Sequence, residues 1–306
     1  MFLKYEITEI DDGNTVKNIL QNQMKLSRRL ITRLKASGSI FLDDKSVFVN
    51  VKVRCGSILR LEISDDTHSE NIESEEMELT IIYEDDYLIA INKPSNLVVH
   101  PTCLHPFGTL ANGLQYHFIQ QNIKTKIRPV SRLDRNTSGV VVFAKSDFAQ
   151  DFLIRQMRNN SFEKIYLGVT YGNWENNKGI IDLPISRKPG SIMIRHIAND
   201  GDRAITHYRV IKFMNGFSLV EFRLETGRTH QIRVHCQAVG HALVGDELYA
   251  PLYECDEVNY DTLIKRQALH SYRSSFPHPL TGEILYLEAP LASDIVNLLT
   301  NLHLKP

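Results

Sequence analysis

Apolar and polar positions along this chain switch between helical spacing and strict alternation, and the switches divide it into elements. Behind Ser27, Leu30, Ile31 and Leu34 recur at helical spacing, with Ser27 placed to cap a short helix and Gly38 to end it. Short alternating runs follow, S-I-F-L-D-D-K and V-F-V-N-V-K-V, then C-G-S-I-L-R-L-E-I, a turn entering a strand. Beyond Leu79, residues 87–92, 140–144, 164–171, 204–213 and 217–225 have strand patterns. Helices are predicted at 109–121, at 147–159 behind a capping Ser146, at 229–239 before Gly240, and at 293–302. Strands outnumber helices and often follow one another directly. The expected fold is α+β: a mixed, mainly antiparallel sheet with flanking helices, preceded by a small α/β domain.

Composition and charge add a domain boundary. The 306 residues exceed one typical domain, and 42% hydrophobic with 23% charged residues is an ordinary globular mixture. Residues 1–64 hold eleven Lys or Arg against seven Asp or Glu, about +4, with five bases crowded at Lys25, Arg28, Arg29, Arg33 and Lys35. Residues 65–78 reverse the sign, with seven acids and no Lys or Arg, as a solvated linker does. The expected division is a small domain at 1–64, an acidic linker at 65–78 and a larger domain at 79–306. The formal net charge of −1 argues against nucleic-acid binding only if this uneven distribution is ignored. No apolar run reaches membrane-spanning length, and the opening M-F-L-K-Y-E-I-T lacks a basic leader, so a cytoplasmic location without membrane association is expected. Cys55, Cys103, Cys236 and Cys255 are far apart and form no C-x-x-C pair, so they are expected to be reduced thiols.

The chemistry concentrates in R-P-V-S-R-L-D-R-N-T-S-G-V-V-V-F-A-K. A polar turn there precedes an apolar strand, which places Asp134 at a strand mouth, between Arg132 and Arg135, with Leu133 and Val140 anchoring the loop. A carboxylate beside arginines suits a nucleophile. A surface acid paired with arginine explains a lone R-x-D equally well, and more often.

Other blocks change that weighting. I-N-K-P-S-N-L-V-V-H-P, R-L-D-R-N-T-S-G, E-K-I-Y-L-G-V-T-Y-G and L-E-T-G-R-T-H-Q-I-R-V-H occur in this order, followed by G-H-A-L-V-G-D-E-L-Y and L-H-S-Y-R-S-S-F-P-H-P-L-T-G-E. From about Leu79 to Leu291 the chain resembles the RluA family of pseudouridine synthases. The resemblance implies the pseudouridine synthase fold and a cofactor-independent isomerisation of uridine in RNA, ribosomal RNA before transfer RNA. It implies that Asp134 breaks the C1′–N1 bond, that Tyr166 stacks on the flipped uracil and its oxygen can act as a base toward the sugar, and that Arg233 pairs with Asp134. Ile232 and Leu133 are the expected pocket wall. Arg132 falls where a side chain enters the space left by the target base; phosphate binding is the alternative. Arg228, after Gly227 at a helix start, suits a phosphate or a simple cap. The first 64 residues resemble the αL-type RNA-binding module of a small-subunit ribosomal protein, so Lys25, Arg28, Arg29 and Arg33 are expected RNA contacts, and Arg135, beside Asp134, completes the set.

The chain departs from the family pattern at Ser131, where histidine is common, and at Asn96, where glycine is; asparagine tolerates a positive φ. His230 and His235 are five apart, not the spacing of a helical zinc pair, and no Walker or dinucleotide loop occurs, so neither metal nor cofactor is expected. A non-catalytic RNA-binding assembly factor is opposed by the intact Asp134, Tyr166 and Arg233. A glycosidase needs a second well-placed acid that the blocks do not supply. RNA is the only partner implied, and a monomer is the expected state.

Overall fold

The computed structural model describes residues 2–63, 72–250 and 264–304. Cys55, Cys103 and Cys236 are free thiols, and Cys255 lies outside the described residues.

The first residues build a four-stranded antiparallel sheet from β1 (Phe2–Glu6), β2 (Ile40–Leu42), β3 (Lys45–Ser46) and β4 (Ile58–Glu62), in the order β1-β4-β2-β3. A helical turn, α1 (Val16–Asn18), and the helix α2 (Arg28–Ala36) accompany it. The Ser27 hydroxyl accepts from Leu30 N–H at 3.2 Å, and Leu30, Ile31 and Leu34 are the buried face of α2. Gly38 follows at φ +66°, past the end of the helix. Asp43 and Asp44, at φ +48° and +61°, make the two-residue turn between β2 and β3. The predicted alternating run V-F-V-N-V-K-V is not a strand. Its Val49 and Val51 carbonyls accept, at 2.8 Å each, the N–H groups of Lys17 and Val16 at the start of α1, so they have no ladder to join.

The second sheet runs through ten strands: β5 (Ile81–Glu84), β6 (Leu88–Lys93), β7 (Arg128–Pro129), β8 (Ser138–Ala144), β9 (Glu163–Tyr171), β10 (Lys178–Asp182), β13 (Ile205–Met214), β14 (Phe217–Leu224), β15 (Leu269–Pro277) and β16 (Ile284–Glu288). Its main path is β10-β13-β14-β9-β15-β8-β6-β5, with β16 on β15 and β7 on β8, and β11 (Ile185–Arg187) and β12 (Arg195–Ile197) form a separate hairpin. Among the described residues only the β8–β15 strand pairing is parallel, so the sheet is mixed and mainly antiparallel, as expected. The helices α3 (Leu110–Gln120), α4 (Asp147–Arg158), α5 (Gln231–Ala238) and α6 (Ser293–Asn301) fall within a residue or two of their predicted spans.

The two sheets are not separated by solvent. Leu3, Leu30 and Leu61 belong to the same buried apolar cluster as Val142, Phe148 and Phe276. Beside it, Asp147 in the first turn of α4 accepts from Arg128 Nε at 2.6 Å and from Arg33 Nη1, reaching over from α2. Burial raises the Asp147 pKa, but Arg128, Arg33 and Arg29 more than offset this and hold it below the usual carboxylate range. Arg33, expected at an RNA surface, is therefore engaged between the sheets, whereas Lys25, Arg28 and Arg29 are exposed. The later part of the acidic segment is fixed as well: Asn112 Nδ2 donates to Glu73 O at 2.9 Å, Gly108 N–H donates to the Glu75 carboxylate at 3.0 Å, and Met77 covers Gly113 of α3.

Candidate active site

Strand β8 is buried along its whole length, and the loop before it is tied down residue by residue. Thr137 N–H closes a turn on Asp134 O at 3.1 Å. The Arg135 carbonyl accepts from Lys93 Nζ at 3.0 Å and from Leu97 N–H at 3.1 Å. The Asn136 carbonyl accepts from Arg266 Nη1 at 3.0 Å, and Thr137 Oγ1 accepts from Gln267 Nε2 at 3.1 Å. Ser138 Oγ lies 2.8 Å from His270 Nδ1 and accepts from Arg266 Nη2 at 3.2 Å. Gly139, at φ +109°, is indispensable here: a Cβ on it would stand 2.1 Å from the Ser271 carbonyl oxygen of the neighbouring parallel strand. Asn96 sits at φ +60°, so asparagine does take the left-handed conformation that glycine would supply.

Asp134 is thereby presented to a cleft of about 810 Å³. Its Oδ2 accepts from Arg233 Nη1 at 3.1 Å. Arg233, buried in α5, gives its other edge to Asp246: Nε to Oδ2 at 2.7 Å and Nη2 to Oδ1 at 2.8 Å. The Asp246 side chain is 0% exposed, so the guanidinium is aimed from behind by a bidentate ion pair. Burial lowers the Arg233 pKa, but Asp246 and Asp134 outweigh it and raise the value above the ordinary one. The Tyr249 ring lies 5.0 Å from the guanidinium.

His230, at φ +58°, begins α5. The Tyr249 hydroxyl accepts from Arg195 N–H at 2.9 Å and is hydrogen-bonded to His230 Nδ1, also at 2.9 Å, while His230 Nε2 faces Asp134 Oδ2 at 3.9 Å. Burial pushes the His230 pKa down, against the pull of Asp134. Tyr166 points from β9 into the same cleft and packs with Ile232 and Leu133. Burial raises its phenol pKa well above the ordinary value; a Ser271 hydrogen bond opposes the rise and Asp134 adds to it. At neutral pH Tyr166 is an uncharged phenol.

Arg132 and Arg228 line the cleft, while Arg135 is exposed outside its lining. Arg228 is partly engaged, with Nη1 3.3 Å from Asp202 Oδ2 and Nε donating to Arg203 O at 3.1 Å. A hollow of about 780 Å³ on the opposite sheet face carries Arg209, Arg223 and Arg273, each paired with a glutamate at 3.0, 3.9 and 3.2 Å. Its arginines are thus each paired and it holds none of the motif residues Asp134, Tyr166 and Arg233, which leaves the Asp134 cleft as the candidate site. Among the described residues no group of three or more His, Cys, Asp and Glu comes together to hold a metal. His235 instead bonds Thr206 Oγ1 and Leu183 O, at 2.9 Å each. No helix among the described residues is long and apolar enough to cross a membrane.

Residues 87–238 match the sequence profile of the RNA pseudouridylate synthases. Over 298 residues the chain is 35% identical to YhcT, an uncharacterized RNA pseudouridine synthase of Bacillus subtilis, covering 97% of this chain and 96% of that protein. The chain belongs to the RNA pseudouridine synthases. It is 37% identical over 284 residues to ribosomal large subunit pseudouridine synthase D of Neisseria meningitidis, covering 91% of this chain and 76% of the relative. Human RNA pseudouridylate synthase domain containing 4 shares the fold, with a TM-score of 0.60 at 22% identity over 73% of this chain and 92% of that one.

Within this synthase the structure brings Asp134, Tyr166, Arg233, Leu133 and Ile232 into one cleft. Sequence reasoning passed over the residues that aim them: Asp246 and Tyr249 behind Arg233, and Lys93 and Arg266 behind the loop. Lys93 is fully buried, and its ammonium donates to the carbonyls of Pro94, Leu97 and Arg135. Burial and Arg266 lower its pKa to about 7, against the pull of Asp134. Asp246 had a visible signal, an acid enclosed in A-L-V-G-D-E-L-Y, because a buried carboxylate requires a cation.

His270 makes the support of this loop pH-sensitive. Burial lowers its pKa from 6.5 to about 4, with Arg266 also lowering it and the Ala289 carbonyl opposing. The unfolded chain takes up this proton first, so the stability it contributes is complete above about pH 6.5 and is lost as pH falls toward 4. The loss amounts to about 3 kcal/mol. Urea midpoints between pH 7 and 4 should therefore fall more steeply for the wild type than for His270→Asn; parallel curves would remove His270 as the cause.

Proposed function

We propose that this synthase converts uridines of large-subunit ribosomal RNA, with Asp134 as the carboxylate that attacks C1′ of the flipped nucleoside. The observation that carries the chemical part is the line Asp246–Arg233–Asp134, which points one carboxylate oxygen into a cleft otherwise rich in cations. The ribosomal part is supported by 37% identity to the large subunit synthases D of Neisseria meningitidis and Nitrosomonas europaea.

Attack by Asp134 breaks the N1–C1′ bond and leaves the sugar held by the enzyme. The uracil turns and bonds to C1′ through C5, displacing the Asp134 carboxylate, C5 gives up its proton, and N1 gains one, so atoms balance without a cofactor. Tyr166, as a neutral phenol, serves as a ring for the uracil to stack on; its raised pKa works against a resting role as base. Arg132, exposed on the cleft wall, fills the gap that the base leaves in its stack. Lys25, Arg28 and Arg29 give the N-terminal sheet region a basic face for structured RNA outside the cleft.

Chemical mapping of pseudouridine in RNA from a deletion strain and its parent tests the substrate. One or more large-subunit positions should lose their signal in the deletion strain; a loss confined to transfer RNA overturns the ribosomal reading. Removing residues 1–64 would uncover the shared apolar cluster, so the basic face is better tested by the combined Lys25→Glu, Arg28→Glu and Arg29→Glu change. That variant should bind structured RNA at least about tenfold more weakly. Its single-turnover rate on saturating short substrate should be unchanged; equal affinity for structured RNA would remove the role.

A further inference from the structure

Strand β9 reaches into the cleft at two places. Tyr166 is one, and Lys164, two residues earlier on the same face, is the other. The Lys164 ammonium lies beside Gly227, where a Cβ would stand 3.5 Å from Nζ. Among the described residues this ammonium has no hydrogen-bond acceptor and no ion pair. Of the other charged groups lining the cleft, Arg233 is committed to its two aspartates, Arg228 to Asp202, and Glu225 to His207 at 2.6 Å, while Arg132 is exposed on the wall and Arg195 donates to backbone carbonyls. Burial lowers the Lys164 pKa, so the cation sits where it is poorly hydrated. A half-buried charge without a counter-ion costs stability, and such a cost persists where a ligand supplies the missing charge.

The anionic group of RNA is its phosphate, and a nucleotide flipped into the cleft brings its flanking phosphates to the cleft wall. Gly227 presents no side chain there, which lets a backbone approach closely. We propose that Lys164 binds a phosphodiester adjoining the target uridine, at a subsite shared with Gly227, and acts in binding rather than in the reaction itself. The inference rests on the RNA substrate of the family and not on the ribosomal assignment.

Total RNA from a deletion strain serves as the first probe. Sites converted by the wild type, ribosomal or transfer, decide the substrate reading separately from Lys164. On a short RNA spanning one such site, Lys164→Met should weaken binding about tenfold or more. It should also reduce the slope of log affinity against log salt by about 0.7. The single-turnover rate at saturating RNA should stay within about twofold, Lys164→Arg should retain most of the affinity, and the Tm of Lys164→Met should equal or exceed that of the wild type. Neutral methylphosphonates introduced one at a time should reveal one position that weakens the wild type and leaves Lys164→Met unaffected. Unchanged affinity and salt slope, or no such position, overturns the proposal. A lowered Tm with general loss of RNA binding does so too, since it makes Lys164 a structural residue.

Discussion

Asp134→Asn should leave a folded protein that binds its RNA and makes no pseudouridine. The side chain is 24% exposed, accepts one 3.1 Å hydrogen bond from Arg233 and has His230 Nε2 at 3.9 Å, so the amide fits and Tm should change little. The amide lacks the charge needed to capture C1′, and the rate should fall on the order of 10⁴-fold or more. Single-turnover conversion with RNA in excess of its dissociation constant separates the two effects. Conversion within tenfold of the wild type would dismiss Asp134 as the nucleophile, whereas loss of binding would reassign it to RNA recognition.

Asp246→Ala should damage the synthase in two ways at once. Arg233 would keep its charge at 5% exposure while losing its bidentate partner, and breaking a buried pair costs about 3–5 kcal/mol. The guanidinium would then turn toward Asp134, spoiling the single-oxygen contact that leaves the other oxygen available. Activity should fall by about 10² or more beyond what loss of folded protein explains. Arg233→Lys should not restore it, because an ammonium cannot serve two carboxylates in fixed directions. Urea denaturation beside single-turnover kinetics checks both effects; a variant as stable and active as the wild type would reduce Asp246 to a bystander.

Local information made much of this legible. Ser27, Ser146, Gly38 and Gly240 mark helix ends by chemistry that acts within a turn, and the fully apolar β8 declares itself by composition. The run V-F-V-N-V-K-V failed because alternation reports which side chains face inward, not where the carbonyls go, and here a distant helical turn took them. Arg33 illustrates a related point: a basic helix face looks the same in sequence whether it meets phosphate or, as Arg33 does, Asp147. In the cleft, the residues that do the positioning are the least visible. Lys93, Arg266, Asp246 and Tyr249 lie far in sequence from the groups they hold, and only the closed fold brings them together.

The tethered loop has a bearing on how targets are chosen. Four successive residues after Asp134 are fastened to other parts of the sheet and its loops before any RNA arrives. Since the enzyme side of the encounter has little left to rearrange, most of the distortion needed to expose a uridine falls on the nucleic acid. A uridine in a loop or at a weak stacking step then has an advantage over an identical one in a firm helix. A synthase so built would act as a gauge of mechanical compliance, sorting uridines by how readily their surroundings give way.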